Sequence, residues 1–294
     1  MRKLLFVAIF ALLGAGFAQT IGLSLSTLNN PFFVQLRDGA QAAADELGLK
    51  LVVTDAQDSV SNQISNIEDL LQSGVAVLIV NATDSDAVVP AVMEANSRNV
   101  PVIAVDRGIN GGTVAYFIAS DNVAGGALAA KYICDKLGGS GNVVELEGIA
   151  GTSAARERGK GFNDYLAANC TGLEVVAKQT ANFDRAQGLS VMENILVAQP
   201  DIAAVFAHND EMALGALQAI QASGRDILVV GFDATDDAVA AVKACTMAAT
   251  VAQQPAMLGD EAVRAAQKII KEGAPATQQS IAVGLQLVTN DACN

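Results

Sequence analysis

Positive charge is scarce in this chain: 18 lysines and arginines face 31 aspartates and glutamates, for a formal net charge of −13 at pH 7. That balance repels phosphate backbones and anionic membrane surfaces, so nucleic acid is excluded as a partner. His208 is the only histidine, and none of the four cysteines, Cys134, Cys170, Cys245 and Cys293, belongs to a C-x-x-C pair. A zinc centre therefore has no ligand set here. The glycine-rich stretch from Gly148 to Gly161 lacks the Gly-Lys-Ser/Thr ending of a phosphate loop. There is no G-x-S-x-G elbow, and His208 has no serine or cysteine at motif spacing, which makes it a polar neighbour at a cleft rim. Asp210-Glu211 falls at a helix start, where negative charge is stabilised by the helix dipole. Nothing specific supports an enzyme, and no cofactor is expected. After Phe17 no run is apolar enough to span a bilayer.

A short basic start, Met1-Arg2-Lys3, precedes an apolar stretch from Leu4 to Phe17 that ends in Gly16-Phe17-Ala18. This pattern predicts a secretory signal peptide over residues 1–18, and hence a soluble, exported protein. In an oxidising compartment an even number of cysteines predicts disulfides. Cys134 and Cys170 fall near the ends of consecutive predicted helices, while Cys245 and Cys293 lie near a late turn and the C-terminus. Those two pairings are the expectation among the three that four cysteines allow, with buried unpaired thiols as the alternative.

From Ile21 onwards the chain alternates apolar, β-branched runs with helical segments. The first half predicts strands at 21–25, 49–54, 75–80, 101–105 and 114–119, with helices from Asn30-Pro31 to Leu47, 60–72 and 84–98. Asn30 suits an N-cap and Pro31 the first helical position, and Asp84 is read as the cap of the third helix. The second half repeats the pattern, with helices at 122–137, 152–168, 185–198, 210–223, 235–243 and 255–272, and closes on one strand, 279–288. Runs that are apolar on both faces belong to parallel sheets covered by helices. The fold class is α/β, with two similar doubly wound parallel-sheet lobes, since the length exceeds what one core supports. No low-complexity tether separates the halves, which suits hinge closure on a ligand held between them.

Ligands of open parallel sheets bind beyond the carboxyl ends of the strands. Those positions hold Ser26, Asn30, Asn81, Asp106 and Arg107 in the first half. In the second they hold Arg158, Phe183, Asn209, Phe232, Asp233 and Gln253. Phe32 and Phe33 sit at the first helix start, where a loop normally carries polar residues. Read singly, Asp106-Arg107 is equally a surface ion pair, Asn30 and Asn209 are helix caps, and Phe183 and Phe232 are core. Their coincidence at strand ends favours a site. Planar donors and acceptors beside aromatic rings suit a sugar, which has hydroxyls around its rim and C–H faces above and below.

The chain resembles the bacterial periplasmic ribose-binding proteins, the solute receptors of ABC-type importers, over essentially its whole mature length. The resemblance is carried by Ser26-Thr27-Leu28-Asn29-Asn30-Pro31-Phe32-Phe33 and by segments 83–88, 118–122, 148–159, 209–217 and 229–233. It implies the type I periplasmic binding protein fold, with a three-crossover hinge near Ser120, Gln253 and Val283. The implied lobes are residues 19–120 plus 254–282 and residues 121–253 plus 283–294. It further implies that Phe32 and Phe183 sandwich the sugar ring, with Phe33 packed alongside and Phe232 lining the pocket. Ser26, Asn30, Asn81, Asp106, Arg107, Arg158, Asn209, Asp233 and Gln253 would bind hydroxyls and the ring oxygen. The implied partners are D-ribose, the membrane permease of an importer and, as for some relatives, a chemoreceptor, with the receptor a monomer. His208 beside Asn209, where those relatives carry glutamine, and the four cysteines depart from the family. The rival readings are a same-fold receptor for allose, galactose or a furanose signal, and the sugar-sensing domain of a repressor. The latter should carry a basic helix-turn-helix where this chain has its apolar leader.

Overall fold

The structure is a computed structural model that describes residues 19–293; the predicted leader, residues 1–18, lies outside the described residues. The first sheet contains β1 (Thr20–Leu25), β2 (Lys50–Asp55), β3 (Val77–Val80), β4 (Val102–Val105) and β5 (Tyr116–Ser120). They run parallel in the order β2-β1-β3-β4-β5. The second contains β6 (Ser140–Glu147), β7 (Gly172–Thr180), β8 (Ala204–Ala207), β9 (Leu228–Asp233) and β10 (Ala249–Ala252). Its order, β7-β6-β8-β9-β10, repeats the first.

The expected closing strand is two strands. β11 (Gln279–Val283) adds parallel to β5 in the first sheet, and β12 (Gln286–Thr289) pairs antiparallel with β10 in the second. Gly284 and Leu285 carry the chain between them. Two further passages join the sheets, one between Ser120 and Asn122 and one at Gln253-Gln254.

The helices are α1 (Pro31–Leu47), α2 (Val60–Gln72), α3 (Val89–Ser97), α4 (Asn122–Lys136), α5 (Ser153–Asn169), α6 (Arg185–Ala198), α7 (Asp210–Ser223), α8 (Asp236–Lys243) and α9 (Pro255–Glu272). Among the described residues, none is long and apolar enough to cross a membrane. Each sheet is sandwiched between two apolar clusters, one per face, as its strands' continuous burial requires. α1 packs on α9, α4 on α5 and α6 on α7. Each pair crosses at reciprocal glycines, Gly39 with Gly259, Gly126 with Gly161, and Gly188 with Gly215, where a Cβ would overlap the partner helix's backbone. The α4–α5 crossing matters most for the site, because it brings Asn122 beside Arg158.

α3 does not begin at Asp84. Asp84 Oδ1 instead accepts from the N–H groups of Asp86 and Ala87, 2.9 and 2.8 Å away, and closes a turn. A helix from Asp84 would bury Pro90 in its interior, where the ring clashes with the preceding turn, so helix begins only at Val89. Cys134 is disulfide-bonded to Cys170 and Cys245 to Cys293, with Cα separations of 6.2 and 5.4 Å. Both bonds lie in the second lobe.

Candidate functional site

The carboxyl ends of both sheets face one another across a small cavity. Asn30, Phe32, Phe33, Asp106 and Arg107 line it from the first lobe, and Ala154, Arg158, Phe183, Asn209, Asp233 and Gln253 from the second. Ala154 had no signal in the sequence. Two wider clefts, one along β6, β7 and α5 and one at the Gly284 passage, are broad and open to solvent, and neither contains the buried ion pairs described below.

The first-lobe wall starts at α1. Asn30 Oδ1 accepts from the Phe32 N–H at 2.9 Å, so the cap that starts the helix also fixes the two phenylalanines, which meet edge to face with centroids 5.1 Å apart. Asp106 follows β4 with a left-handed φ of 63°, which aims it at the cavity instead of onward along the strand. Behind it, Ser26 Oγ donates to Asn81 Oδ1 at 2.7 Å, and Asn81 Nδ2 donates to Asp106 Oδ2 at 3.0 Å. Arg107 reaches the Ala82 carbonyl at 3.3 Å and lies 3.8 Å from the Asp106 carboxylate. Its guanidinium sits 5.1 Å from the Phe33 centroid and 5.3 Å from that of Phe183, so it stands between rings of both lobes.

The second-lobe wall is more fully tied. Arg158 Nε donates to Asn122 Oδ1 at 2.9 Å and Nη1 to the His208 carbonyl at 2.5 Å. Its guanidinium lies 3.6 Å from Asp233 and stacks 3.8 Å over the Phe232 ring. Gln253 Nε2 donates to Asp233 Oδ1 at 2.8 Å. Asn209 caps α7 through the Met212 N–H and donates to the Phe183 carbonyl at 3.1 Å. Phe183 and Asp233, like Asp106, have left-handed φ, 60° and 121°, and Phe183 rests on Gly148, where a Cβ would overlap its ring.

Burial governs the electrostatics. It pushes the Asp106 carboxyl up, against Arg107, Arg158 and the Asn81 hydrogen bond. It pushes Asp233 well up, against Arg158. Arg107 and Arg158 are lowered by the same desolvation, offset by Asp106 and Asp233 respectively. Among the described residues, six buried side-chain polar atoms have no hydrogen-bond partner within the protein. Three of them, Asp106 Oδ1, Arg107 Nε and Gln253 Oε1, belong to cavity residues. A buried polar atom without a partner costs about 1–3 kcal/mol, so the cavity is built for something that supplies partners.

Three expected contact residues do not line the cavity. Ser26 and Asn81 are fully buried one layer back, where they hold Asp106, and Phe232 is the platform beneath Arg158. The expected rim position of His208 is overturned as well. His208 is fully buried, with Nε2 2.9 Å from Glu145 Oε1 and Nδ1 accepting from the Gly148 N–H at 3.4 Å. Just past the end of β8, the His208 N–H still donates to the Leu146 carbonyl at 2.9 Å and the ring is buried in the lobe, so only the His208 carbonyl serves the site. Asn122, which orients Arg158, was legible in the sequence only as a helix start.

A family model described as a periplasmic binding protein domain matches residues 21–275. The ribose import binding protein of Bacillus subtilis is 52% identical over 270 residues, covering 92% of this chain and 87% of the relative. That of Haemophilus influenzae is 52% identical over 277 residues, 92% of this chain and 94% of the relative. Among solved structures, the Caulobacter myo-inositol binding protein bound to myo-inositol is similar at a TM-score of 0.88 and 37% identity, covering 96% of this chain and 97% of that one. The two-lobed fold, the cavity at the facing sheet ends and these similarities lead to one conclusion: the chain belongs to the periplasmic binding protein family.

Proposed function

We infer that the chain captures D-ribose between its lobes, closes by hinge motion and presents the sugar to the membrane permease of an ABC importer. The observation that carries this is the trio of unpartnered polar atoms, Asp106 Oδ1, Arg107 Nε and Gln253 Oε1, beside the faces of Phe32, Phe33 and Phe183. Hydroxyls would complete the first set and C–H faces would cover the second. Asn30, Asp106, Arg107, Arg158, Asn209, Asp233 and Gln253 are the proposed hydroxyl and ring-oxygen partners, with Ser26, Asn81 and Phe232 supporting them from behind. The names of the relatives, ribose import binding proteins at 52% identity, support ribose as the sugar.

The lobes are residues 19–120 plus 254–282 and residues 121–253 plus 283–294, with the hinge at the three passages. Export through the residues 1–18 leader, a monomeric receptor, docking on a chemoreceptor and release of the sugar chemically unchanged belong to the same reading. Calorimetry of unfolded and refolded protein against D-ribose, allose, galactose and glucose tests it. Ribose should bind at about micromolar affinity or tighter, since a few charge-assisted hydrogen bonds contribute roughly 1.5–3 kcal/mol each. Heat with another sugar and none with ribose would overturn the substrate. A second reading, a receptor for a different polyol ring, is favoured by the similarity to the myo-inositol binding protein and is separated by adding myo-inositol to the panel.

A further inference from the structure

Outside the sugar cavity, on the side of Arg107 and Ala154, two preformed turns meet across the cleft. The first-lobe turn is fixed internally: Asp84 Oδ1 holds the Asp86 and Ala87 N–H groups, the Asn110 N–H donates to the Ser85 carbonyl at 2.9 Å, and Asn110 Nδ2 donates to Asp86 at 2.8 Å. The second-lobe turn is fixed by Thr152, whose hydroxyl donates to the Ile149 carbonyl at 2.8 Å and accepts from the Ala155 N–H at 3.2 Å. Three hydrogen bonds join the turns. The Ser85 N–H donates to the Gly151 carbonyl at 2.9 Å, the Gly108 N–H to Ser153 Oγ at 2.8 Å, and Arg156 Nη2 to Ser85 Oγ at 3.3 Å. Gly151 fits so closely that a Cβ there would overlap the Asp84 carboxylate. None of Ser85, Gly108, Gly151, Ser153 or Arg156 lines the cavity.

We propose that these two turns form a latch that sets how readily the lobes close, and therefore the receptor's affinity, without contributing to its choice of sugar. The proposal rests on the sugar-receptor reading. Closing brings Arg107 and Arg158, both charged, into one buried space, where desolvation first and then Arg158 lower the proton affinity of Arg107, and it strands the unpartnered atoms of the wall. The latch offsets part of that cost in every closed form, whatever occupies the cavity. An apparent dissociation constant is the intrinsic one divided by the fraction of competent protein. A weakened latch therefore multiplies every sugar's dissociation constant by one common factor.

The test compares wild type with Gly151→Ala, Ser153→Ala and Arg156→Ala, measuring the affinity of each for D-ribose and for a weaker sugar such as D-allose. Ser153→Ala and Arg156→Ala each remove one latch hydrogen bond and should weaken both sugars about two- to tenfold. Gly151→Ala puts a wedge between two turns that are each intact in its own lobe, so it should act more strongly, by about tenfold or more. The ratio of ribose to allose affinity should stay at the wild-type value throughout. A changed ratio overturns the proposal, because the residues would then read the sugar, and so does an unchanged affinity in all three variants. Small-angle scattering should show a more open unliganded Gly151→Ala protein than wild type. If wild type bound no sugar of the panel, the receptor reading would fall, whereas ribose binding by wild type with unchanged affinity in all three variants would overturn the latch alone.

Discussion

Each lobe contributes one buried aspartate and one buried arginine to the cleft, yet the two pairs are built differently. In the first lobe, Asp106 and Arg107 are sequence neighbours on one loop, 3.8 Å apart, and Arg107 has one hydrogen bond, to the Ala82 carbonyl. In the second, Arg158 from α5 and Asp233 from the end of β9 come from 75 residues apart and are tied by Asn122, the His208 carbonyl, Gln253 and the Phe232 ring. The unpartnered Asp106 Oδ1 and Arg107 Nε lie in the first-lobe pair, whereas the arginine of the second is held in place. The second lobe thus presents a largely preorganised surface, with Gln253 Oε1 its one unpartnered cavity atom, and the first carries an aspartate and an arginine whose partners a ligand would supply. Preorganisation reduces the ordering cost of binding, and groups left to be satisfied by the ligand give selectivity, because a ligand lacking the matching hydroxyl leaves them orphaned.

The same contrast runs through the stability of the lobes. Both disulfides are in the second, closing separations of 36 and 48 residues. Chain entropy assigns about 4 kcal/mol to each. Replacing Cys134 and Cys170, or Cys245 and Cys293, by serine should lower the unfolding midpoint of the second lobe substantially and leave the first lobe's protection against hydrogen exchange unchanged. Equal loss in both lobes would break the comparison.

A smaller effect separates cavity from core within the second lobe. Phe206 is fully buried and stacks on Phe162 with centroids 4.6 Å apart, while Phe183 is half-buried at the cleft. Phe206→Ala should cost about 3–5 kcal/mol of stability, and Phe183→Ala much less. The order should reverse in sugar affinity, where Phe183→Ala and Phe32→Ala should be the damaging changes.

The smallest effect concerns His208. Burial lowers its proton affinity from the ordinary value of 6.5, opposed by Glu145, and its Nδ1 accepts a hydrogen bond only while the ring is neutral. A folded-state value below the unfolded one means that the contribution to stability is present above about pH 6.5 and is lost as pH falls towards the folded value. Wild type should therefore lose stability between pH 7.5 and 5 relative to His208→Gln, whose amide carries both an acceptor and a donor and does not titrate. Parallel pH profiles for the two proteins would show that His208 carries no such linkage.

Much of this architecture can be read from local chemistry. α2, α6, α7 and α9 begin and end where their side-chain caps, the apolar period or Pro255 put them. The strand-end rule collected most of the cavity residues, though not Ala154, because it follows from topology and not from any one residue. What stayed hidden depends on contacts distant in sequence. Gln279 to Val288 reads as one strand, since nothing local says that its halves pair with β5 and β10. Asp106, Phe183 and Asp233 adopt left-handed backbone with no glycine to announce it. The burial of His208 depends on Glu145, a charged residue in the middle of a central strand, and that pairing is visible only once β6 and β8 are side by side.

The division between a preorganised and a ligand-completed half is tested most directly by pairing Arg107→Met with Arg158→Met and measuring, for each, unliganded denaturant stability and D-ribose affinity. Both should weaken ribose about 10- to 100-fold, since each arginine can make charge-assisted hydrogen bonds. Only Arg158→Met should lower the unliganded stability strongly, by about 3 kcal/mol, because it strips Asp233, Asn122 and the His208 carbonyl of their shared partner. Arg107→Met should cost less, because Asp106 keeps its Asn81 hydrogen bond and the charge of Arg158, and an unpartnered buried Nε is removed. Equal losses of unliganded stability in the two variants would contradict the account.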